Sequence, residues 1–407
     1  MEKYLIIVLT AVLLSGCNHQ KPSGQTGDYI RIPVNPAEAS ESVNMSEIFS
    51  DIEYIPLESV DKHLIGTVNQ LIVYKDRFYI FDRYQTQSVF CFQQDGKFLF
   101  ELNRKGQGPG EYIKLDNISI DCDNSHLLLY CGPMHPILVC DLDGNYIKSH
   151  RTKDIWAHEF SYTGNGYAAF YGGYTTNEKH EKNGMTPNLL IANTDNYNLQ
   201  HTDLFFPSEI RMETVVGNFK RFSSYRNGTA VLLAEYDDTV YHISGEKVER
   251  AYYIDFGNMK KGKDFYSFLK SPATKLGQTT EYERTHDICI IRAVEETEKY
   301  MFFYYFHKFI GHAVFYNKRT GQVIDVCKDY GDKNVIFPIY NDINGGPLVF
   351  PLSSDGESFY GVVESWQILK EKESIQASNA AGRDKLLKMI DGINEFDNPV
   401  IVRMKLK

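Results

Sequence analysis

Short aromatic-rich runs separated by tight turns repeat along most of this chain. The 407 residues include 28 Tyr and 25 Phe, many of them in runs broken by Asp-Gly, Asn-Gly and similar pairs. Strand-forming runs that alternate with such pairs predict antiparallel β-strands. Two of the turns, Asp95-Gly96 and Asp143-Gly144, lie 48 residues apart, and each precedes the last strand of a four-stranded meander. A repeat of about 40–50 residues is typical of β-propeller blades.

The pattern can be followed through six blades. Five are continuous in sequence, at residues 71–102, 118–148, 160–205, 219–256 and 287–327. The sixth has strands at residues 348–352, 358–363 and 400–406 but lacks a fourth strand. We expect residues 52–58 to supply it, because closing the ring hides sheet edges that would otherwise invite aggregation. The sequence therefore predicts an all-β fold, a six-bladed β-propeller of four-stranded antiparallel blades, closed by N- and C-terminal strands in one blade.

A small helical insertion interrupts the sixth blade. Within residues 382–395, the apolar residues that recur at helical spacing are Leu386, Met389, Ile390 and Ile393. This spacing predicts an amphipathic helix that packs its apolar stripe on the propeller. A second short helix is expected at residues 264–270.

The first residues have the pattern of a lipoprotein signal. Lys3 is followed by an apolar run at residues 4–14 and then by small residues before Cys17. The run is too short for a permanent membrane helix, which needs about 20 apolar residues. We therefore expect residues 1–16 to be a cleaved signal peptide and Cys17 to be the acylated first residue, which anchors the protein to a membrane.

The lipid anchor sets the domain organisation and the location. Residues 17–28 are polar and poor in aromatic residues, so we expect a flexible tether, and we expect residues 29–407 to form the propeller. The predicted location is the cell envelope, with the lipid in the outer membrane. Residues 18–21 contain no acidic side chain, which favours the periplasmic side over the cell surface.

Charge and cysteine content limit the partners. The net charge of −10 argues against nucleic acid, which requires a basic surface. The sequence has no Cys-x-x-Cys or Cys/His cluster, so a zinc site is not expected. Cys91, Cys131 and Cys140 lie inside apolar runs, where cysteine usually behaves as a small buried hydrophobe.

Several motifs along the chain resemble a known family. They are Ile52-Glu53-Tyr54-Ile55-Pro56-Leu57-Glu58, Leu64-Ile65-Gly66, Arg104-Lys105-Gly106-Gln107-Gly108-Pro109-Gly110-Glu111-Tyr112 and Asp397-Asn398-Pro399-Val400. Their order is similar to that in the six-bladed, NHL-like β-propeller lipoproteins of gut-type Gram-negative bacteria. The resemblance implies the fold and the lipid anchor. It implies no activity and no catalytic residue.

Blade topology sorts the loops onto two faces. The connections between strands two and three, and from strand four to the next blade, open on one side, which we call the loop-rich face. Residues 172–187, 257–285 and 364–398, the longest insertions, belong to it, together with residues 104–112. The other side, the tight-turn face, carries only short turns. Because binding residues concentrate on long loops held by a rigid scaffold, we expect the site on the loop-rich face.

The glycine-rich loop at residues 104–112 permits two interpretations. Its backbone N–H groups are candidates for anion binding, and Arg104 and Lys105 for lining the channel mouth. A phosphate loop, however, needs Gly-Lys-Ser/Thr at the start of a helix, and Gly110 is followed by Glu111 and Tyr112. The alternative is a sharp crossover between blades that needs positive φ angles at glycine.

Residues just before or at the start of the inner strands should lie near the channel mouth and be partly exposed. Among them are Trp156, Phe219, Arg221, His286 and Asp287. An aromatic ring beside such polar groups suits a hydroxyl-rich ligand such as a sugar. Trp156 is alternatively a packed blade junction, and His286-Asp287 orients a base, binds a metal or is structural. The predicted ligand-binding residues are Arg104, Lys105, Gln107, Glu111, Tyr112, Trp156, Arg221, His286 and Asp287.

Two classes of function remain open. The favoured one is a binding module that recognises a glycan, a peptide or a partner protein on the loop-rich face, without a cofactor. The alternative is an envelope enzyme, either a polysaccharide lyase or hydrolase or a metal-dependent lactonase-like propeller with a divalent cation in the channel mouth. An enzyme of this kind needs paired carboxylates or a ring of oxygen ligands. The available carboxylates are Glu111, Glu235, Asp237, Asp238, Glu281 and Asp287.

The lipid anchor can be tested with Cys17→Ser. This change removes the thiol that accepts the acyl chains, so the variant should leave the membrane fraction. Fractionation after a high-salt wash measures this, with Cys122→Ser as a matched cysteine control. A Cys17→Ser protein that still pellets with membranes would contradict the prediction.

Overall fold

Most of the aromatic and β-branched runs form strands, and the strands assemble into six antiparallel sheets arranged as propeller blades. The computed structural model describes residues 29–40, 42–60, 62–210, 220–224, 228–327 and 338–407. The predicted signal peptide, Cys17 and the tether lie outside these residues, as do Phe219 and Asn227. The fold is the six-bladed β-propeller that the repeat predicts.

Three strands precede the first blade: β1 (Ile30–Pro33), β2 (Val43–Asn44) and β3 (Phe49–Pro56). Blade 1 consists of β4 (Gln70–Tyr74), β5 (Arg77–Asp82), β6 (Ser88–Gln93) and β7 (Phe98–Leu102). Blade 2 consists of β8 (Asn117–Asp121), β9 (His126–Tyr130), β10 (Pro136–Asp141) and β11 (Tyr146–Arg151). Blade 3 consists of β12 (Glu159–Gly164), β13 (Tyr167–Tyr171), β14 (Met185–Asn193) and β15 (Leu199–Pro207).

Blades 4 and 5 are separated by a helical segment. Blade 4 consists of β16 (Phe222–Ser224), β17 (Ala230–Leu233), β18 (Thr239–Ser244) and β19 (Lys247–Asp255). Two helices follow, α1 (Lys263–Lys270) and α2 (Leu276–Thr285). Blade 5 consists of β20 (Cys289–Glu296), β21 (Tyr300–His307), β22 (Ile310–Asn317) and β23 (Val323–Val326).

Blade 6 joins the two ends of the chain. After the short β24 (Ile339–Tyr340), its strands are β25 (Ser353–Ser354), β26 (Ser358–Val363), β27 (Val400–Leu406) and β3. β27 pairs antiparallel with β3, with Val400 opposite Pro56 and Met404 opposite Ile52. This confirms the predicted closure. The inner strand lies a few residues after its predicted position at 348–352.

The segment before β3 runs along the outer edges of blades 4 and 5 and then pairs with β24, and we call residues 30–44 the strap. β1 adds a fifth, parallel strand to blade 4 by pairing with β19. Ser40 forms a parallel bridge with Val326 of blade 5, and β2 pairs in parallel with β24. The sequence analysis did not predict the strap. It covers outer strand edges that would otherwise offer unpaired backbone groups.

The hydrophobic core is a ring of clusters, each shared by two neighbouring blades. Blades 1 and 2 share Phe81 and Leu129, whereas blades 6 and 1 share Ile401 and Phe78. Equivalent clusters join the four remaining pairs of neighbours. Since large side chains bridge every pair of blades, no blade buries its faces without its neighbours.

Turn glycines confirm the Asp-Gly turns that the sequence repeat predicts. Gly96 and Gly144 have φ angles of 91° and 81°, a region that side chains disfavour. A Cβ on Gly96 would also lie 2.1 Å from the carbonyl oxygen of Pro56. These turns therefore need glycine for both backbone conformation and space.

The insertion of blade 6 is more helical than predicted. Three helices lie between β26 and β27: α3 (Ser365–Lys370), α4 (Lys372–Ala377) and α5 (Arg383–Ile390). α5 lies within the predicted range, and α1 matches the helix predicted at 264–270. Leu386 and Ile390 of α5 are buried against blade 6, so the apolar stripe is core. Within the described residues, none of the helices has the length and apolar character needed to cross a membrane.

Deletion of residues 399–407 should destabilise the whole propeller. The deletion removes β27 from between β26 and β3, and four of its side chains are fully buried: Val400, Ile401, Val402 and Met404. Each such side chain contributes about 1.5–3 kcal/mol, against a total stability of about 5–15 kcal/mol for a typical domain. Thermal unfolding measures the effect, with Lys405→Ala on the same strand as the control. An unchanged melting curve would show that blade 6 closes in another way.

Candidate functional site

The strand order places the three insertions named in the sequence analysis on one face, as predicted. Residues 172–184 connect the second and third strands of blade 3, and residues 364–399 do the same in blade 6. Residues 256–288 lead from blade 4 to blade 5. Phe265 and Leu269 of α1 pack with Tyr174 and Tyr236 in a cluster of their own. The insertions therefore pack against the propeller and against each other.

Exposed large apolar side chains concentrate on the loop-rich face. In the described part of the chain ten such residues are exposed, and nine of them belong to loop-rich-face connections. These nine are Leu64, Tyr84, Ile113, Met134, Trp156, Phe309, Tyr340, Trp366 and Phe396. The tenth, Ile147, lies on the outer strand β11. Single exposed apolar residues are ordinary, but their restriction to one face indicates a contact surface.

The glycine-rich loop satisfies its own backbone groups. Gly106 N–H donates to the carbonyl oxygen of Tyr112 at 3.0 Å, and Gly108 N–H donates to the Glu111 carboxylate at 2.7 Å. Gly110 has a φ angle of 78°. The loop thus has the geometry of the crossover interpretation, and the Glu111 carboxylate already occupies the place an anion would take.

Tyr112 and Arg104 fix this loop to its neighbours. Tyr112 is buried, its hydroxyl donates to the carbonyl oxygen of Gln87 at 2.6 Å, and burial raises its pKa to about 12. The Arg104 guanidinium donates to the carbonyl oxygen of Gly144 at 3.4 Å, in the outer turn of blade 2. Lys105 and Gln107 are exposed. Among the described residues, Arg104 makes its contacts with its own loop and with blade 2.

Trp156 is 44% exposed on the crossover from blade 2 to blade 3. Its backbone is held from both sides by buried Asn177. The Trp156 N–H donates to Asn177 Oδ1 at 2.9 Å, and Asn177 Nδ2 donates to the Trp156 carbonyl oxygen at 3.0 Å. The indole is therefore presented from a fixed backbone, as a contact residue would be.

His286 and Asp287 point to different partners. The His286 ring stacks on Tyr282 with centroids 3.6 Å apart. The exposed Asp287 carboxylate pairs with Lys308 at 2.9 Å and with His307 at 2.8 Å. Hydrogen bonds from Lys308 and His307 lower the pKa of Asp287. The two neighbours therefore do not form a base and its orienting carboxylate with each other.

Arg221 is buried, with 3% of its surface exposed, whereas the sequence analysis expects it to be partly exposed. It lies under the insertion between blades 4 and 5, where its guanidinium forms an ion pair with Glu235. Its backbone N–H donates to Glu159 Oε2 at 2.9 Å. Burial raises the pKa of Glu159. A charge so enclosed is accommodated because its partners are buried with it.

The ion pairs continue into the insertion, and we call this group the buried ionic cluster. Arg292 pairs with Glu235 at 2.9 Å and with Glu283 of α2. A register shift in β20 between Ile291 and Ala293 frees Arg292 from the regular ladder, as a β-bulge does. The cluster therefore fastens α2 to the inner part of blades 4 and 5.

A lysine joins three blades beside the channel. Lys220 Nζ lies 2.7 Å from Glu295 Oε1 of blade 5 and donates to the carbonyl oxygen of Leu352, just before β25, at 2.9 Å. Burial raises the pKa of Glu295 to about 7, against the opposing effect of Lys220. Lys220, Glu159 and Arg292 are not among the site residues predicted from the sequence. The available signal was a charge inside or beside an apolar strand, as in Cys289-Ile-Ile-Arg292.

The carboxylates considered for an enzyme have other partners. Glu235 belongs to the buried ionic cluster, and Asp238 pairs with buried Lys261. Asp237 accepts from Tyr241 at 2.7 Å, and Glu281 pairs with Arg284 on the surface. Across the described ranges, no group of three or more His, Cys, Asp or Glu side chains is arranged to hold a metal ion.

A cleft of about 890 Å³ lies on the loop-rich face of blade 6. One wall is formed by residues 338–348, and the other by α3, α4 and the residues after α4. Tyr340 and Trp366, two of the exposed aromatic residues, line opposite walls. None of the binding residues predicted from the sequence lines this cleft.

The fold and the decorated face define a six-bladed β-propeller with its long insertions on one side. The family model named "Domain of unknown function (DUF4934)" matches residues 29–405. The chain therefore belongs to the DUF4934 family. No curated protein matches its sequence.

A solved structure shares this fold. A "Putative exported protein" from Bacteroides fragilis NCTC 9343 aligns with a TM-score of 0.73 at 16% identity, covering 93% of this chain and 99% of that one. A member of the duf4221 family from Bacteroides vulgatus ATCC 8482 aligns with a TM-score of 0.49 at 8% identity. The alignment covers 88% of this chain and 98% of that one. At 16% identity, the first likeness shows the fold alone.

Arg292→Met should be strongly destabilising because it leaves Glu235 and Glu283 buried with one cation fewer. Breaking a buried ion pair in this way costs about 3–5 kcal/mol. The control is Arg284→Met, which breaks an exposed pair with Glu281 worth about 0–1 kcal/mol. Urea unfolding of both variants measures the difference. Equal stabilities would show that the buried ionic cluster does not hold the insertion.

Proposed function

We propose that this protein is a lipid-anchored binding module of the cell envelope, which recognises a glycan, a peptide or a partner protein through the loop-rich face. The observation that carries the proposal is the restriction of exposed large apolar side chains to that face, nine of ten in the described residues. Aromatic rings and methionine are side chains that binding surfaces use for contact area. The tight-turn face lacks such a set among the described residues.

The fixed positions of Trp156 and of the insertion between blades 4 and 5 favour binding over neutral decoration of loops. Trp156 is presented from a backbone bonded to buried Asn177, and α2 is fastened by the buried ionic cluster. Rigid supports lower the entropy lost when a ligand binds. Insertions without a function would not need buried charged or amide side chains to fix their position.

The direction of the strap supports an anchored orientation. β19 starts from the turn at Gly245 on the tight-turn face, and β1 runs parallel to it. Residue 29 therefore enters blade 4 from the tight-turn side. The first described residues thus join the propeller from its tight-turn side, and this favours an orientation in which the loop-rich face is turned away from the anchoring membrane.

The proposed location is the outer membrane, on its periplasmic side. The motif resemblance to six-bladed lipoproteins supports this, as does the absence of acidic residues at positions 18–21. The structural likeness to a protein named as exported is in agreement with it.

Photo-cross-linking in cells tests the proposed face. With p-benzoylphenylalanine in place of Tyr84 or Phe309, the protein should form adducts with its ligand, because both positions are exposed on the loop-rich face. The same group in place of Ile147 is the matched control, since Ile147 is similarly exposed but lies on β11. Adducts at Ile147 alone, or at none of the three positions, would contradict the proposal.

A further inference from the structure

We propose that the cleft between residues 338–348 and helices α3 and α4 binds a neutral oligosaccharide, stacked on Trp366 and Tyr340. This inference rests on the proposed binding function and gives it a site and a ligand class. The two rings are 51% and 56% exposed. The cleft volume of about 890 Å³ lies in the upper part of the range typical of small-molecule sites.

Both walls of the cleft are rigid. On the first wall, buried Asn344 donates to the carbonyl oxygen of Ile52 on β3 at 2.9 Å. In the other direction, the hydroxyl of Tyr54 on β3 donates to the carbonyl oxygen of Pro347 at 3.2 Å. On the other wall, Ile368 and Ile375 anchor α3 and α4 in the core. The cleft is therefore formed before any ligand arrives, which reduces the cost of binding.

The close approach of the wall to β3 depends on glycine. A Cβ on Gly346 would lie 2.2 Å from the Tyr54 hydroxyl oxygen. Any larger residue would push the wall off the closing strand. The shape of the cleft is thus tied to the strand that closes the ring.

The polar groups of the cleft suit hydroxyl groups. Lys370, Glu371, Ser374 and Asn379 line it, and within the described chain their side chains have no hydrogen-bond or ion-pair partner. Together they offer donors and acceptors around the two rings. Aromatic rings for the faces of a ligand, with polar groups for its edges, match the alternation of apolar faces and hydroxyl edges in a sugar.

The charges of the cleft favour a neutral ligand over an acidic one. The ionisable lining residues are Lys370, Glu371 and Asp342. The Asp342 carboxylate accepts from the backbone N–H and the hydroxyl of Ser46, at 2.9 Å and 2.5 Å. One cation beside two carboxylates gives no attraction for a polyanion. The polar side chains also distinguish the cleft from an apolar groove for a protein helix.

The chain contains only two tryptophans, Trp156 and Trp366, which makes the test specific. In full-length protein kept in detergent, the part of the tryptophan fluorescence that Trp366→Phe removes reports on the cleft. Cello-, xylo-, malto- and manno-oligosaccharides are the probes. At least one should change the fluorescence in a saturable way, and calorimetry on the unaltered protein should give the same dissociation constant.

The matched pair of variants is Trp366→Ala and Ile147→Ala, because both side chains are about half exposed but Ile147 lies on β11, outside the loop-rich face. Trp366→Ala should weaken binding of the active oligosaccharide about tenfold, which corresponds to about 1.4 kcal/mol, without changing the melting temperature. Ile147→Ala should leave binding unchanged.

Two results would overturn the inference. One is the absence of saturable binding for every oligosaccharide at millimolar concentration, and the other is equal binding by Trp366→Ala and the unaltered protein. Either result leaves the proposed function standing if cross-links still form at Tyr84 and Phe309. The loss of those cross-links would count against the binding face as a whole.

Discussion

The pairing of β3 with β27 is the constraint on which the rest of the structure depends. Each blade buries its faces only against its neighbours, so the core is continuous only when the ring is closed. The closing pair also supports the candidate cleft, because Asn344 and Pro347 bond to β3. Ring closure and the shape of this part of the loop-rich face therefore share one strand, and a change to β3 affects both.

Buried charge has a different role from the apolar core. The apolar clusters hold the blades together and anchor the blade 6 insertion, but apolar contacts are not directional. The ion pairs of Arg292 with Glu235 and Glu283 are directional, and they are costly to leave incomplete. They specify one position of α2 over blades 4 and 5, and Lys220 similarly connects blades 4, 5 and 6. The long segments of the loop-rich face are therefore held in position by buried charges between them and the blades.

The fold was predictable because the repeat, the turn glycines and the missing fourth strand all pointed to one architecture. The strap was missed because its pairings are parallel, short and far apart in sequence, so no local period marks them. The site was harder. Topology correctly placed the insertions on one face, but burial cannot be inferred from loop position: Arg221 starts an inner strand and is nevertheless enclosed. Trp366 and Tyr340 were overlooked because the helices around the cleft carry little apolar periodicity, although one of only two tryptophans in a polar stretch was a usable signal.

The strap also determines how the molecule bears mechanical load. A pull applied ahead of residue 29 reaches β1 first, where four residue pairs with β19 and the ion pair of Arg31 with Asp255 resist it. It must next break the bridge at Ser40 and the pairing of β2 with β24 before any force acts on β3. Force applied to this end of the described chain therefore acts on the pairings of the strap before it acts on the ring-closing strand β3. Under such a load β1 can detach from blade 4 while the pairing of β3 with β27 keeps the ring closed.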